Sequence, residues 1–151
     1  GEWVVLPGHL FSLGELDNRS PDVWTSGPVT VRSWPMAHTK SSIGYRVETP
    51  GGTVVAYSGD TGPCGELVKL ARGADLFLCE CSLPDGMKIE GHLTPSEAGA
   101  AAAAAGVRRL VLTHFYPECD AADIAAQCRL TWQGPLTLAE DLMEIRISPA
   151  R

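Results

Sequence analysis

The chain is poor in several features that would narrow its role at once. Basic charge is scarce: 12 Lys and Arg stand against 18 Asp and Glu, a net charge of −6 over 151 residues. Phosphate backbones demand a basic footprint, so extended nucleic acid is disfavoured as a partner, and Arg108-Arg109 is the only adjacent basic pair. No apolar run reaches transmembrane length, because the alanines at 100–105 are few and weakly hydrophobic, and this argues against a membrane partner. No stretch has the charged-then-apolar pattern of a secretory signal. The five cysteines (Cys64, Cys79, Cys81, Cys119 and Cys128) lack CxxC spacing, and no second Cys/His pair completes a zinc ribbon. Reduced thiols in a cytoplasmic protein are the plain reading. Internal repeats are absent. So is an initiator Met, although Glu2–Leu6 (EWVVL) already reads as a strand. The expectation is the later part of a longer polypeptide, or a processed or tagged product.

What is present describes an ordinary globular domain. A hydrophobic fraction of 44% and a charged fraction of 20% suit one folded domain over residues 1–151. After Pro7-Gly8-His9 breaks the first run, residues 10–27 are a turn-rich connection whose clearest loop is Asp17–Pro21. Strands are predicted over Val29–Trp34, Ile43–Thr49 and Thr53–Ser58, the last two joined at Pro50-Gly51-Gly52 as a hairpin. A short helix follows over 65–72, then a buried strand over Asp75–Cys81. Thr94, Pro95 and Glu97 form a helix start, with Thr94 as N-cap, Pro95 at the first helical position and Glu97 as capping-box partner. The alanines carry that helix to Gly106, where a left-handed stop is expected. Arg108–Thr113 reads as a second buried strand, with His114 at its C-terminal end. A helix capped by Asp120 is expected over Ala121–Leu130, stopped by Gly134-Pro135, and final strands over Leu136–Ala139 and Met143–Ile147. Antiparallel strands followed by alternating strands and helices make a layered α/β domain, with helices packed on a mixed sheet.

Four polar residues then stand at strand ends or in the loops just after them: His38, Asp60, His92 and His114. Glu80 lies inside the strand before His92. Imidazole nitrogen and carboxylate oxygen converging from separate strands suit a borderline divalent ion such as zinc. Each residue also has an ordinary explanation. A lone His is more often a surface or core residue, an Asp beside Gly bonds its own turn, and a His before an N-cap can be incidental. Glu80 is harder to set aside, because an unpaired buried carboxylate is costly.

Five stretches resemble, in order, motifs of the metallo-β-lactamase superfamily, most closely its ribonuclease Z-like branch. They are HTKSSIGYRVE (38–48), YSGDT (57–61), LCECSL (78–83), GHLTPSEAG (91–99) and LVLTHFYP (110–117). The resemblance implies the later portion of an αβ/βα sandwich. It makes His38 a ligand of one divalent metal, His114 a ligand of a second and Asp60 the bridge between them. The metals the resemblance implies are two zinc ions, with manganese or iron as alternatives. His92 becomes the proton donor to a leaving group and Glu80 the residue that orients it; His9 matches no ligand motif and reads as structural or surface. Ribonuclease Z usually reads His-Glu-Ala-Thr where this chain has Cys79-Glu80-Cys81-Ser82, and Ser-Thr where it has Leu93-Thr94. The family's HxHxDH loop is absent from these residues, so neither metal would have a complete tetrahedral shell, and little hydrolysis is expected of the isolated chain. The implied function is a two-metal hydrolase acting on a small or nucleotide-type phosphodiester. The alternatives are ester, lactone or thioester hydrolysis, or a metal-free remnant serving in assembly. Self-association stays open.

Overall fold

The computed structural model describes residues 14–147. The expected strand Glu2–Leu6 and His9 lie outside these residues. A seven-stranded mixed sheet, ordered as in the sequence, forms the body: β1 (Asp22–Ser26), β2 (Val29–Pro35), β3 (Ile43–Glu48), β4 (Val54–Tyr57), β5 (Leu76–Glu80), β6 (Leu110–Thr113) and β7 (Leu136–Leu138). β1 to β4 pair antiparallel, and β4 to β7 pair parallel. The change of pairing follows the connections. Tight turns join the early strands, whereas α1 (Gly65–Ala71), α2 (Pro95–Ala105) and α3 (Ile124–Arg129) carry the later crossovers.

One face of the sheet packs on the helices. Ala56, Phe77, Cys79, Leu110 and Leu112 meet Leu67, Leu70, Ala98, Ala102 and Cys128 in a single apolar core. α2 is capped as its sequence predicts. Thr94 and Glu97 form the reciprocal box, Pro95 begins the first turn, and Gly106 ends the helix at φ 64°. Its buried residues Ala98, Ala102 and Ala105 recur at helical spacing, so the small side chains face the sheet while Ala103 and Ala104 face water.

Three expectations are corrected. β1 falls within the stretch read as a connection. Its Ser26 pairs with Val29 across a two-residue Gly27-Pro28 turn, with Gly27 at φ 55°. A glycine opening a two-residue hairpin turn is a recognised signal, and it was present in the sequence. Asp120 does not cap a helix. Pro117–Ala121 forms a 3-10 turn that buries Cys119, and Asp123 instead caps α3, its Oδ1 accepting from Ala126 N at 2.8 Å. Burial of Cys119 and Ile124 on either side of this junction settles the start. The expected strand Met143–Ile147 does not form: a turn at Glu140–Met143, with Leu142 at φ 63°, leads the chain away from β7, and the described residues after it pair with no strand of the sheet. Among the described residues no helix is long and apolar enough to cross a membrane.

Candidate active site

Four segments following β2, β4, β5 and β6 carry the candidate residues to one end of the sheet. The parallel strands β4, β5 and β6 end there in step, with Tyr57 opposite Leu78 and Glu80 opposite Thr113. Asp60 follows β4 in the Gly59–Gly62 turn, and Gly59 takes φ 59°. His114 follows β6 directly and adopts φ 64°, a left-handed conformation uncommon outside glycine. His38 lies in the loop after β2, and His92 precedes the cap of α2.

All four are brought together. The His92 ring centroid lies 4.7 Å from that of His38 and 5.7 Å from that of His114. His114 Nε2 stands 3.5 Å from Asp60 Oδ1, and both side chains are partly exposed. His38 Nδ1 approaches the Gly91 carbonyl at 3.2 Å, which leaves Nε2 as its other nitrogen. Gly91 has to be glycine: it sits at φ 83°, and a Cβ there would lie 2.8 Å from His38 Nδ1. A surface cleft of about 670 Å³ opens beside His38, lined also by Lys40, Glu90 and Gly91.

Behind these residues Glu80 is only 1% exposed. It avoids the cost of burial by accepting four hydrogen bonds, two on each oxygen. Thr61 N at 2.9 Å and His92 Nδ1 at 2.8 Å reach Oε1; the Ser82 hydroxyl at 3.0 Å and Leu93 N at 3.1 Å reach Oε2. Ser82 Oγ also lies 2.9 Å from His92 Nδ1, so that N–H is shared between carboxylate and hydroxyl. Glu80's own N–H donates to Ser58 Oγ at 2.9 Å. Ser58, Thr61 and Ser82 lie inside the five motifs, but small hydroxyl residues in strand-end loops carry no signal in the sequence that sets them apart. Tyr116 likewise lies inside a motif without a role of its own, and its ring lies 5.9 Å from His92 and 5.6 Å from His114.

A divalent ion suits part of this arrangement. Two ligands of one tetrahedral zinc, at bond lengths of ~2.1 Å, stand ~3.4 Å apart. The Asp60–His114 separation of 3.5 Å is close to that, and too long for a good hydrogen bond. No group of three or more His, Cys, Asp or Glu that could hold a metal forms among the described residues. The cysteines are separate from the site chemistry. All five are free, and burial pushes the Cys79 and Cys81 thiols well up and Cys128 to about 11.

Comparison with known proteins bears on the family and the fold. The family model for the beta-lactamase superfamily domain matches residues 14–115. The uncharacterized protein Rv1339 of Mycobacterium tuberculosis is 41% identical over 126 residues, covering 81% of this chain and 46% of that protein. Ribonuclease Z of Methanothermobacter thermautotrophicus is 36% identical over 100 residues, covering 64% of this chain and 33% of the enzyme. Among solved structures, the human short-form tRNase Z matches with TM-score 0.65 and 31% identity, over 83% of this chain and 46% of that one. The metallo-β-lactamase fold protein YhfI of Bacillus subtilis matches with TM-score 0.71 and 25% identity, over 79% of this chain and 50% of its own. The chain thus spans about half the length of the first curated relatives it matches. With that match over most of its length and the mixed sheet of the fold, the chain belongs to the metallo-β-lactamase superfamily, and within it resembles ribonuclease Z.

Proposed function

We propose that the protein carrying this chain is a metal-dependent phosphodiesterase whose proton donor is His92. The buried Glu80–His92 pair carries this reading. Nδ1 of His92 is turned into Glu80 and Ser82, so Nε2 is the nitrogen left to exchange a proton with substrate. His38, Asp60 and His114 are the residues that would hold divalent ions, two zinc ions in the simplest form or manganese or iron instead. When bound, such ions lower the pKa of water and polarise a phosphoryl oxygen. The chain's own part is to protonate the departing alkoxide from His92, to keep that ring in one tautomer through Glu80, and to seat Glu80 on the end of β5 and His92 just before the cap of α2. The similarity to ribonuclease Z returns an RNA phosphodiester to the candidate substrates. The net charge of −6 weighs little against it, because it belongs to a chain spanning 46% of its matched relatives.

The test compares two leaving groups in the intact gene product. Replacing His92 by Ala should slow cleavage of a dinucleotide phosphodiester by about 10²–10⁴-fold, the usual worth of a general acid. Cleavage of bis(p-nitrophenyl) phosphate should slow far less, since nitrophenolate leaves without a proton. Equal losses on both would remove His92 as the acid. Metal analysis should find about two transition-metal ions per chain. A metal-replete preparation with none would instead favour a non-catalytic protein. Turnover confined to esters, lactones or thioesters would redirect the assignment within the superfamily.

A further inference from the structure

The hydrogen bonds around Glu80 and Thr61 do more than orient His92. Glu80 Oε1 accepts from His92 Nδ1 at 2.8 Å and from Thr61 N at 2.9 Å, and Thr61 is the residue directly after Asp60. Thr61 is fully buried, and its hydroxyl oxygen accepts from Ala37 N at 3.1 Å, directly before His38. Gly62 N reinforces that link by donating to Ala37 O at 2.8 Å. From the other side His38 Nδ1 meets the Gly91 carbonyl at 3.2 Å, directly before His92. The bonds therefore close a circuit: His92, Glu80, Thr61, Ala37–His38, Gly91 and back to His92. Three loops that are far apart in the chain are locked to one another through the side chains of Glu80, Thr61, His38 and His92, of which Glu80 and Thr61 are fully buried.

We infer that Glu80 and Thr61 are positioning residues for the metal ligands Asp60 and His38, as well as for the proton donor. The inference rests on the metal-dependent reading above. Its physical basis is the small tolerance of a ligand set: partners one bond behind the ligands hold their orientation, and losing one typically costs 10–100-fold in metal affinity. Glu80→Gln replaces one of the two accepting oxygens by an amide N–H₂ and leaves the other without charge, so the bonds to Thr61 and His92 weaken whichever way the amide turns. Thr61→Val keeps the shape but strips the acceptor from Ala37 N, and Thr61→Ser keeps the acceptor.

The test is metal affinity by chelator competition in the intact gene product, with activity measured alongside. Glu80→Gln and Thr61→Val should each lose about 10-fold or more in affinity. Thr61→Ser should restore it to near wild type. His92→Ala should lose clearly less affinity than Glu80→Gln: its ring packs against His38 and His114, but the links from Glu80 to Thr61 and from Thr61 to Ala37 survive without it. Wild-type affinity in Glu80→Gln would overturn the inference while leaving the proposed function standing. Equal losses in Glu80→Gln and His92→Ala would also overturn it, since Glu80 would then act only through the histidine. A wild-type protein that binds no metal removes both. Circular dichroism of each variant, with Ser82→Ala as a milder change that removes one donor from Glu80, separates a loosened site from a chain that fails to fold. Ser82→Ala should fall between wild type and Glu80→Gln in affinity, and an affinity below that of Glu80→Gln would count against the circuit.

Discussion

His114 sits at φ 64°, and a non-glycine residue held there costs on the order of 1–3 kcal/mol. Such strain persists only where neighbouring structure imposes it. Here the end of β6 and the ring contacts of His114 with His92 and Tyr116 supply that constraint. The strain can be isolated from the ring by comparing two replacements that both delete the imidazole. His114→Gly should be more stable than His114→Ala by about 1 kcal/mol, the reverse of their order in a helix or strand. Urea denaturation in the presence of a chelator measures it, and an alanine variant of equal or greater stability would dismiss the strain. Both variants should lose metal affinity. Sequence reasoning reached His114 through its place after a buried strand. The left-handed turn that aims it has only a faint local signal: histidine is among the few non-glycine residues enriched in that conformation, and neither Thr113 nor Phe115 adds to it.

Among the elements, α2 shows how context reverses a propensity. A glycine inside a helix ordinarily costs about 1 kcal/mol against alanine, so Gly99 reads as a flaw in a run of alanines. Yet a Cβ at Gly99 would lie 2.8 Å from the Cys128 carbonyl oxygen and 3.2 Å from its Sγ, and would also press on Thr131. The missing side chain lets α3 lie directly against α2, where Thr131 Oγ1 donates to Ser96 O at 2.7 Å. Backbone cannot yield as a flexible side chain can. Gly99→Ala should therefore destabilise the protein by about 1–3 kcal/mol instead of stabilising it, the cost of overpacking. A thermal midpoint that rises would show that the two helices part freely.

The whole molecule buries its thiols with the exception of Cys64, and this gives its stability a definite dependence on pH. Burial raises Cys79 and Cys81, with Glu80 adding to the first and Cys119 to the second. A thiol with a higher pKa folded than unfolded holds its proton more firmly in the native state. Its contribution is complete below the ordinary value of 9.0 and is lost as pH rises past it, because the unfolded chain ionises first. For Cys128 that loss runs from 9.0 to about 11. Each of Cys79 and Cys81 should remove about 1.4 kcal/mol of stability per pH unit in the alkaline range. Urea midpoints taken from about pH 8 to about pH 10.5 should fall steadily, and the fall should flatten in a Cys79→Ala, Cys81→Ala double variant. An unchanged slope in that variant would assign the alkaline loss to other groups.

At this same scale, sequence and tertiary structure divide the work by range. The capping box of Thr94 and Glu97, Pro95 in the first turn and the Gly106 stop were legible because each acts within a few residues. β2 to β6 were legible because their apolar runs are bounded by Gly and Pro. The five ordered motifs marked His38, Asp60, Glu80, His92 and His114 as belonging together. The tertiary structure decided what those signals could not reach. Burial of Cys119 and Ile124 moved the start of α3 from Asp120 to Asp123, and a left-handed turn at Leu142 cancelled the last strand. It also set the circuit through Glu80 and Thr61, whose bonds join residues 19 and 24 positions apart. Propensity and capping are local energies that a sequence states directly. A shared carboxylate, a close helix approach and a strained histidine arise only when distant segments compete for the same buried space.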